Sequence, residues 1–165
     1  MKLKVEKMTE QDAFQIFVWK YSEPYDWYNL EGDEACIHEF LEDSYYVVKD
    51  QEHGLVGFFC YGPSAQVTSG KLLGFYADET YLDIGLGMNP LLCGKGYGAS
   101  FLELGMQYAK EILGAKKFRL TVADFNERGI KVYQKVGFYE VGTFEARNRV
   151  EQIRFKVMCL SLIHI

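Results

Sequence analysis

Three glycines at alternate positions, Gly94, Gly96 and Gly98, stand in the run Asn89-Pro90-Leu91-Leu92-Cys93-Gly94-Lys95-Gly96-Tyr97-Gly98-Ala99 between two apolar segments. Glycine has the most backbone freedom to lose on ordering, so such a run belongs where main chain must come close to something. Tyr81 to Met88 before it reads as a strand, and Ala99 to Leu113 after it is the strongest helix pattern in the chain. A helix start leaves N–H groups unpaired and carries the positive end of the macrodipole. Strand, glycine loop and helix together therefore suit a phosphate, which the loop amides can approach with no Cβ in the way, and Lys95 adds a cation.

Two common phosphate-binding loops fit this stretch poorly. The loop lacks GxxxxGK followed by Ser or Thr, so it is not a P-loop. Gly94-Lys95-Gly96-Tyr97-Gly98-Ala99 fits GxGxxA in form. That dinucleotide fingerprint, however, joins a first strand to its helix by a tight turn. Here the loop comes mid-chain, Pro90 and four further residues intervene, and too little chain follows for a second nucleotide-binding half.

The elements that must hold this loop read β-α-α-β-β-β-α-β-α-β-β. Lys2 to Val5 alternates as a strand, and Thr9 followed by Asp12 starts a helix through Ala13, Ile16 and Phe17. Tyr21 to Gly32 is aromatic, acidic and broken by Pro24, a loop or short turns. Asp33 to Leu41 reads as a short helix, and Tyr45 to Val48 and Leu55 to Tyr61 as a hairpin. Gly62 to Gly70 reads as a loop. The apolar residues of Ala99 to Leu113 cover more than half the helix circumference, which predicts a largely buried helix. Lys117 to Ala123 alternates as a strand, with Arg119 and Thr121 on its polar side. Asn126 caps a helix over Glu127 to Val136, which Gly137-Phe138 stops. Tyr139 to Ala146 and Gln152 to Leu162 form a closing antiparallel hairpin.

The 165 residues are 48% hydrophobic and 16% aromatic, enough for a real core. A net charge of −5 argues against nucleic acid as the main partner. No apolar run reaches the ~18 residues of a membrane span, and the N-terminal MKLKVEKMTE lacks the apolar stretch of a signal peptide. Cys36, Cys60, Cys93 and Cys159 are widely spaced without a CxxC pair, which predicts thiols in a reducing cytoplasm and no metal site. His38, His53 and His164 have no ligand spacing. Charge is unevenly spread. Between Lys20 and Lys49 there is no Lys or Arg but eight acids, so this stretch carries −8 and the remainder +3.

Two segments resemble one family. Asp83-Ile84-Gly85-Leu86-Gly87-Met88-Asn89-Pro90 with Gly94-Lys95-Gly96-Tyr97-Gly98 resembles the acetyl-CoA motif of the GNAT N-acetyltransferases, with Cys93 where the motif has Gln or Arg. Asn126-Glu127-Arg128-Gly129-Ile130-Lys131-Val132-Tyr133-Gln134-Lys135-Val136-Gly137-Phe138 is similar to the family's second signature, NxxAxxxYxKxGF, with Gly129 at the Ala position. The resemblance implies an α/β (α+β) fold of GNAT type. This is a mixed, mostly antiparallel sheet of six to seven strands, with helices on both faces and splayed central parallel strands, in one acetyltransferase domain over residues 1–165. It also implies acetyl-CoA (coenzyme A) as co-substrate and no metal.

What the resemblance assigns to residues is specific. Gly94, Lys95, Gly96, Tyr97, Gly98 and Ala99 would hold the pyrophosphate. Leu86, Gly87 and Met88 would pair with the pantetheine arm, one of their N–H groups facing the thioester carbonyl as an oxyanion donor. Gly85 and Gly87 would give that backbone room. Asn126, Gly129, Tyr133 and Lys135 complete the cofactor side. Tyr133 is the expected general acid, since a phenol titrating near ~10 is protonated at neutral pH and can donate to the leaving thiolate. Asp83 is a candidate base, with Glu31, Glu23 or a water chain as alternatives.

The family builds its acceptor site from the N-terminal helices and loop, here the −8 segment. Glu23, Tyr25, Trp27 and Glu31 would meet a cationic amine by charge and cation–π contact. A small amine or a peptide or protein N-terminus would be the acceptor, and the chain is open to homodimerisation. An acyl-CoA-binding sensor or scaffold without turnover is the alternative function.

Overall fold

The computed structural model describes residues 2–30, 34–52, 54–147 and 152–161. Among them the elements run β1 (Leu3–Lys7), α1 (Glu10–Phe17), α2 (Glu34–Phe40), β2 (Tyr45–Asp50), β3 (Gly54–Tyr61), α3 (Thr68–Leu72), β4 (Leu82–Met88), α4 (Gly98–Leu113), β5 (Lys117–Ala123), α5 (Glu127–Val136), β6 (Tyr139–Arg147) and β7 (Gln152–Ser161). Strand order is β1-β2-β3-β4-β5-β7-β6. The pairs β1–β2, β2–β3, β5–β7 and β6–β7 are antiparallel, and β4–β5 is parallel. The β4–β5 ladder is short, with Leu82 opposite Phe118 and Asp83 opposite Arg119.

The chain divides into two compact units, Met1–Cys60 with Leu86–Tyr97, and Tyr61–Gly85 with Gly98–Ile165. In the first, α1 opens with the expected capping box. Thr9 Oγ1 accepts from the Asp12 N–H at 3.1 Å, and Asp12 Oδ2 accepts from the Thr9 N–H at 3.2 Å. Asp12 is buried and also pairs with Lys49 Nζ at 3.1 Å. The inward face of α1 buries Ala13, Ile16 and Phe17. Phe17 stacks on Phe40 of α2 at 5.1 Å, and Phe40 meets Tyr45 and Phe58 edge-on at 4.8 and 5.2 Å. Each such ring pair adds about 0.5–1.5 kcal/mol beyond burial. The segment after α1 holds one short 3-10 turn, Tyr25–Tyr28.

In the second unit α4 lies against α5 so closely that a Cβ on Gly98 would sit 2.9 Å from Val132 Cγ2. Phe101, Leu102, Gly105, Met106 and Ala109 form the buried stripe of α4. The Tyr61 hydroxyl donates to the Gly105 carbonyl at 2.7 Å and fixes the helix along its axis. The sequence predicts more burial than α4 has: Ile112 is 60% exposed, so burial ends a turn before the helix does.

Helix α3 corrects the loop expected over residues 62–70, which instead forms a 3-10 turn at Gly62–Ala65 and then α3. Its sequence has no apolar period. Packing makes it, with Gly70 lying so near the Phe144 ring that a Cβ would come within 2.7 Å. The α5 caps are as expected: Asn126 Oδ1 accepts from the Gly129 N–H at 2.9 Å, Gly137 has φ 121°, and the Phe138 N–H returns to the Tyr133 carbonyl at 2.9 Å. No helix among the described residues is long and apolar enough to cross a membrane.

Candidate active site

β4 ends on Met88 and is followed by Asn89, whose N–H donates to the Val56 carbonyl at 2.8 Å and whose side chain spans Leu55 and Leu91 at 3.0 Å each. A 3-10 turn, Pro90–Leu92, follows, and then the glycine loop. Gly94 and Gly96 adopt φ of 74° and 85°, a left-handed backbone that side chains disfavour. A Cβ on Gly96 would meet nothing within 4 Å, so the main chain there is open and the glycine serves conformation. Gly94, Lys95, Gly96 and Tyr97 are exposed, and Gly98 and Ala99 begin α4. The loop thus leads straight into a helix N-terminus, the arrangement that fits a pyrophosphate. Cys93 turns its thiol toward the Asn89 and Met88 carbonyls, at 3.6 and 3.8 Å.

Leu86, Gly87 and Met88 are half-buried in β4. The sequence assigns Gly87 to an approaching ligand; its Cβ direction is instead filled by the Phe58 ring, 2.3 Å from an added carbon. Packing against β3 therefore accounts for this glycine. The Met88 carbonyl accepts the Tyr21 hydroxyl at 2.7 Å. Burial, and then the neighbouring Cys93, push the Tyr21 phenol well above its ordinary range.

On α5, Tyr133 is buried at 9% exposure, its ring edge-on to Phe138 at 6.4 Å. Gly129 packs beneath its own helix cap: an added Cβ would come 2.7 Å from Asn126 Nδ2. Asn126 is thus a cap in this structure, and Lys135 lies exposed in the last turn of the helix.

Asp83, the candidate base, lies in β4. It is 2% exposed, and both oxygens are engaged. Oδ1 accepts from Arg119 Nε at 2.8 Å, and Oδ2 accepts from Arg119 Nη2 at 2.8 Å and Gln66 Nε2 at 2.9 Å. A carboxylate held this way is a poor acceptor for a substrate proton. Arg119 also donates to the Asp78 carbonyl at 3.1 Å and lies over the rings of Tyr76 and Tyr81, at 5.2 and 5.6 Å. Burial alone would lower the Arg119 pKa, but the bonds and charge of Asp83 outweigh it and the net shift is upward. The sequence places Arg119 on a polar face. Yet residues of both faces of β5 are buried, and Arg119 is 3% exposed. The signal for this pair is an acid in one central strand and a base in the next.

In the acceptor segment, Glu23 and Asp26 are exposed, Tyr25 is half-buried and Trp27 is 37% exposed, edge-on to Tyr28 at 5.1 Å. Farther along, Glu39 accepts from the Tyr45 hydroxyl at 3.0 Å and Asp43 lies 3.7 Å from Lys7 Nζ, so those acids are already engaged. Glu31 lies outside the described residues, as do Asp33, His53 and His164.

Residues 8–138 match the Acetyltransferase (GNAT) family, a span that takes in the glycine loop and the Asn126–Phe138 segment. The chain is 28% identical over 117 residues to spermine/spermidine N(1)-acetyltransferase of Bacillus subtilis (strain 168), covering 66% of this chain and 70% of that one. Among solved structures, a GNAT-family acetyltransferase from Bacillus anthracis has a TM-score of 0.74 at 16% identity, covering 98% of this chain and 96% of that one. A dodecameric spermidine N-acetyltransferase from Vibrio cholerae has a TM-score of 0.65 at 19% identity, with 97% and 94% covered. Those structural likenesses carry the fold, and the family match carries the class: this chain belongs to the acetyltransferase (GNAT) family, acyltransferases whose co-substrate is acetyl-CoA.

Proposed function

We propose that this chain transfers the acetyl group of acetyl-CoA directly to a primary amine of a small cationic molecule, of polyamine type, with a peptide N-terminus as the second acceptor class. The observation that carries the cofactor is the open, left-handed glycine loop running into the start of α4. The acceptor rests on the −8 segment and on the polyamine activity of the Bacillus subtilis relative.

Bound acetyl-CoA supplies a thioester carbonyl open to attack and a sulfur that leaves as a thiol. The amides of Gly94 to Ala99, with Lys95, hold the pyrophosphate. Leu86 to Met88 pair with the acyl arm and offer an N–H to the carbonyl oxygen as negative charge develops there, a donor worth about 2.7–4 kcal/mol. Asn126, Gly129 and Lys135 line the cofactor side. Glu23, Tyr25 and Trp27 receive the cationic amine. The ammonium first gives one proton to Glu23 or to water, since Asp83 is committed to Arg119. As the free amine nitrogen then bonds to the carbonyl carbon, the carbon–sulfur bond breaks, Tyr133 gives its proton to the sulfur, and the second nitrogen proton returns through water to the tyrosinate. Exposed Tyr139 and Val141 on the edge strand β6 support a homodimer, and four cysteines in thiol form support the cytoplasm.

Thiol release from acetyl-CoA, measured against spermidine, spermine, a peptide with a free N-terminus and an acidic amino acid, tests the reading. Release should be fastest with the polyamines and should slow with added salt, which screens the steering charges. Release that ignores salt, or favours the acidic amine, would return the acids to a solvated face. Acetyl-CoA binding with no release would make the chain a sensor.

A further inference from the structure

A trans peptide points its carbonyl and its N–H in opposite directions. The Met88–Asn89 peptide is trans and gives its N–H to β3, so the Met88 carbonyl faces away from β3. On that side it accepts the Tyr21 hydroxyl at 2.7 Å. Alternate residues of a strand share the direction of their polar groups, so the main-chain groups of Leu86 lie along the same edge of β4. This is the edge assigned above to the acyl arm, and Tyr21 marks its end.

Tyr21 is held from a second direction. Its own N–H donates to Asn29 Oδ1 at 2.8 Å, which closes the chain over residues 22–28 into a loop. Inside that loop the Tyr25 N–H reaches the Ser22 carbonyl at 2.8 Å, and the Asn29 N–H the Asp26 carbonyl at 3.0 Å. Glu23, Tyr25 and Trp27 all lie within it. A single residue therefore fastens the loop shut and ties it to the strand.

We propose that Tyr21 is a positioning residue of the transfer: its phenol and its N–H seat the amine-binding loop 22–28 at the end of the strand edge that receives the acyl arm. The raised pKa of the phenol keeps its proton in place to donate. The role rests on the acetyltransferase reading above.

Tyr21→Phe deletes the hydroxyl and keeps the ring. The amine KM should rise about tenfold, the scale of one lost hydrogen bond with its carbonyl left unpaired, while kcat and the acetyl-CoA KM stay within about twofold. Asn29→Ala opens the loop at its other tie and should raise the amine KM in the same way. Because both ties act on the same loop, the two losses should not simply add in the double variant. An unchanged amine KM in Tyr21→Phe, or a parallel rise in both KM values with a lowered Tm, would overturn the proposal. A wild-type chain that releases no thiol with any amine defeats the acetyltransferase reading alone. Amide hydrogen exchange across residues 22–29 then decides the tie, faster in Tyr21→Phe if it exists and unchanged if it does not.

Discussion

Asp83→Asn exchanges one carboxylate oxygen for an NH2 group of nearly the same size. Each oxygen it could replace faces a guanidinium donor at 2.8 Å, so the substitution sets donor against donor in either orientation. It also strips the counter-ion from Arg119, which is 3% exposed. Breaking a buried pair from one side costs about 3–5 kcal/mol. At about 2–4 °C per kcal/mol for a chain of this length, Tm should fall by roughly 6–20 °C. Arg119→Met removes the other partner but leaves an acid able to shed its charge by binding a proton. Its cost should therefore be smaller at pH 5 than at pH 8. Asp83→Asn has no such relief, because a guanidinium stays charged throughout. The double variant Asp83→Leu/Arg119→Met should recover most of the loss, since neither charge is left alone. Urea denaturation of the four proteins at both pH values measures the coupling. Single-variant losses below about 1 kcal/mol, or losses that simply add, would mean the pair is solvated and the argument fails. The same Asp83→Asn protein, assayed well below its Tm, should keep the acid limb of its pH–rate profile. If that limb disappears, Asp83 is the base after all.

Tyr133→Phe should lower kcat by roughly 10²-fold and remove the basic limb of the pH profile, with acetyl-CoA affinity nearly unchanged; equal loss of binding would make Tyr133 a binding residue only. Acetyl-CoA should raise the Tm of the wild type while NADH does not, and Gly96→Val, strained at a φ of 85°, should lose that rise. Stabilisation by NADH would reverse the choice of cofactor. Burial raises the Cys159 thiol above its ordinary 9.0 and the Tyr76 phenol above 10.0. Both favour the protonated folded chain, so the urea midpoint should hold below about pH 9 and decline as the unfolded groups ionise above it; a flat midpoint to pH 10.5 would contradict their burial.

Where local chemistry decides structure, the sequence announces it. The limits of β5 and α5, the Thr9 and Asn126 caps and the left-handed Gly137 all follow from residues within a few positions of one another. Where a neighbour across the sheet decides, the sequence is silent. Gly87 looks like a vacancy for a ligand until Phe58 is seen filling it. Arg119 alternates like a surface residue until Asp83 and the rings of Tyr76 and Tyr81 are seen around its guanidinium. Tyr21 is one of 12 tyrosines, and only the turn of the Met88 carbonyl away from β3 singles it out. α3 has no period to detect, because its formation depends on a ring 74 positions beyond Gly70, at Phe144.

If the loop from Gly94 to Tyr97 holds its ligand by main chain, as proposed above, that changes what mutagenesis can see. Trimming Lys95 back to alanine removes its charge and leaves every amide where it was. A conventional alanine scan would register that cation and pass over the amides. Sensitivity here runs in the reverse direction, toward adding atoms. At Gly94 and Gly96 an extra carbon is resisted by the left-handed backbone, and at Gly98 by Val132, 2.9 Å away. Natural variation should show the same bias, free in side chain at the intervening positions and closed to any side chain at these three.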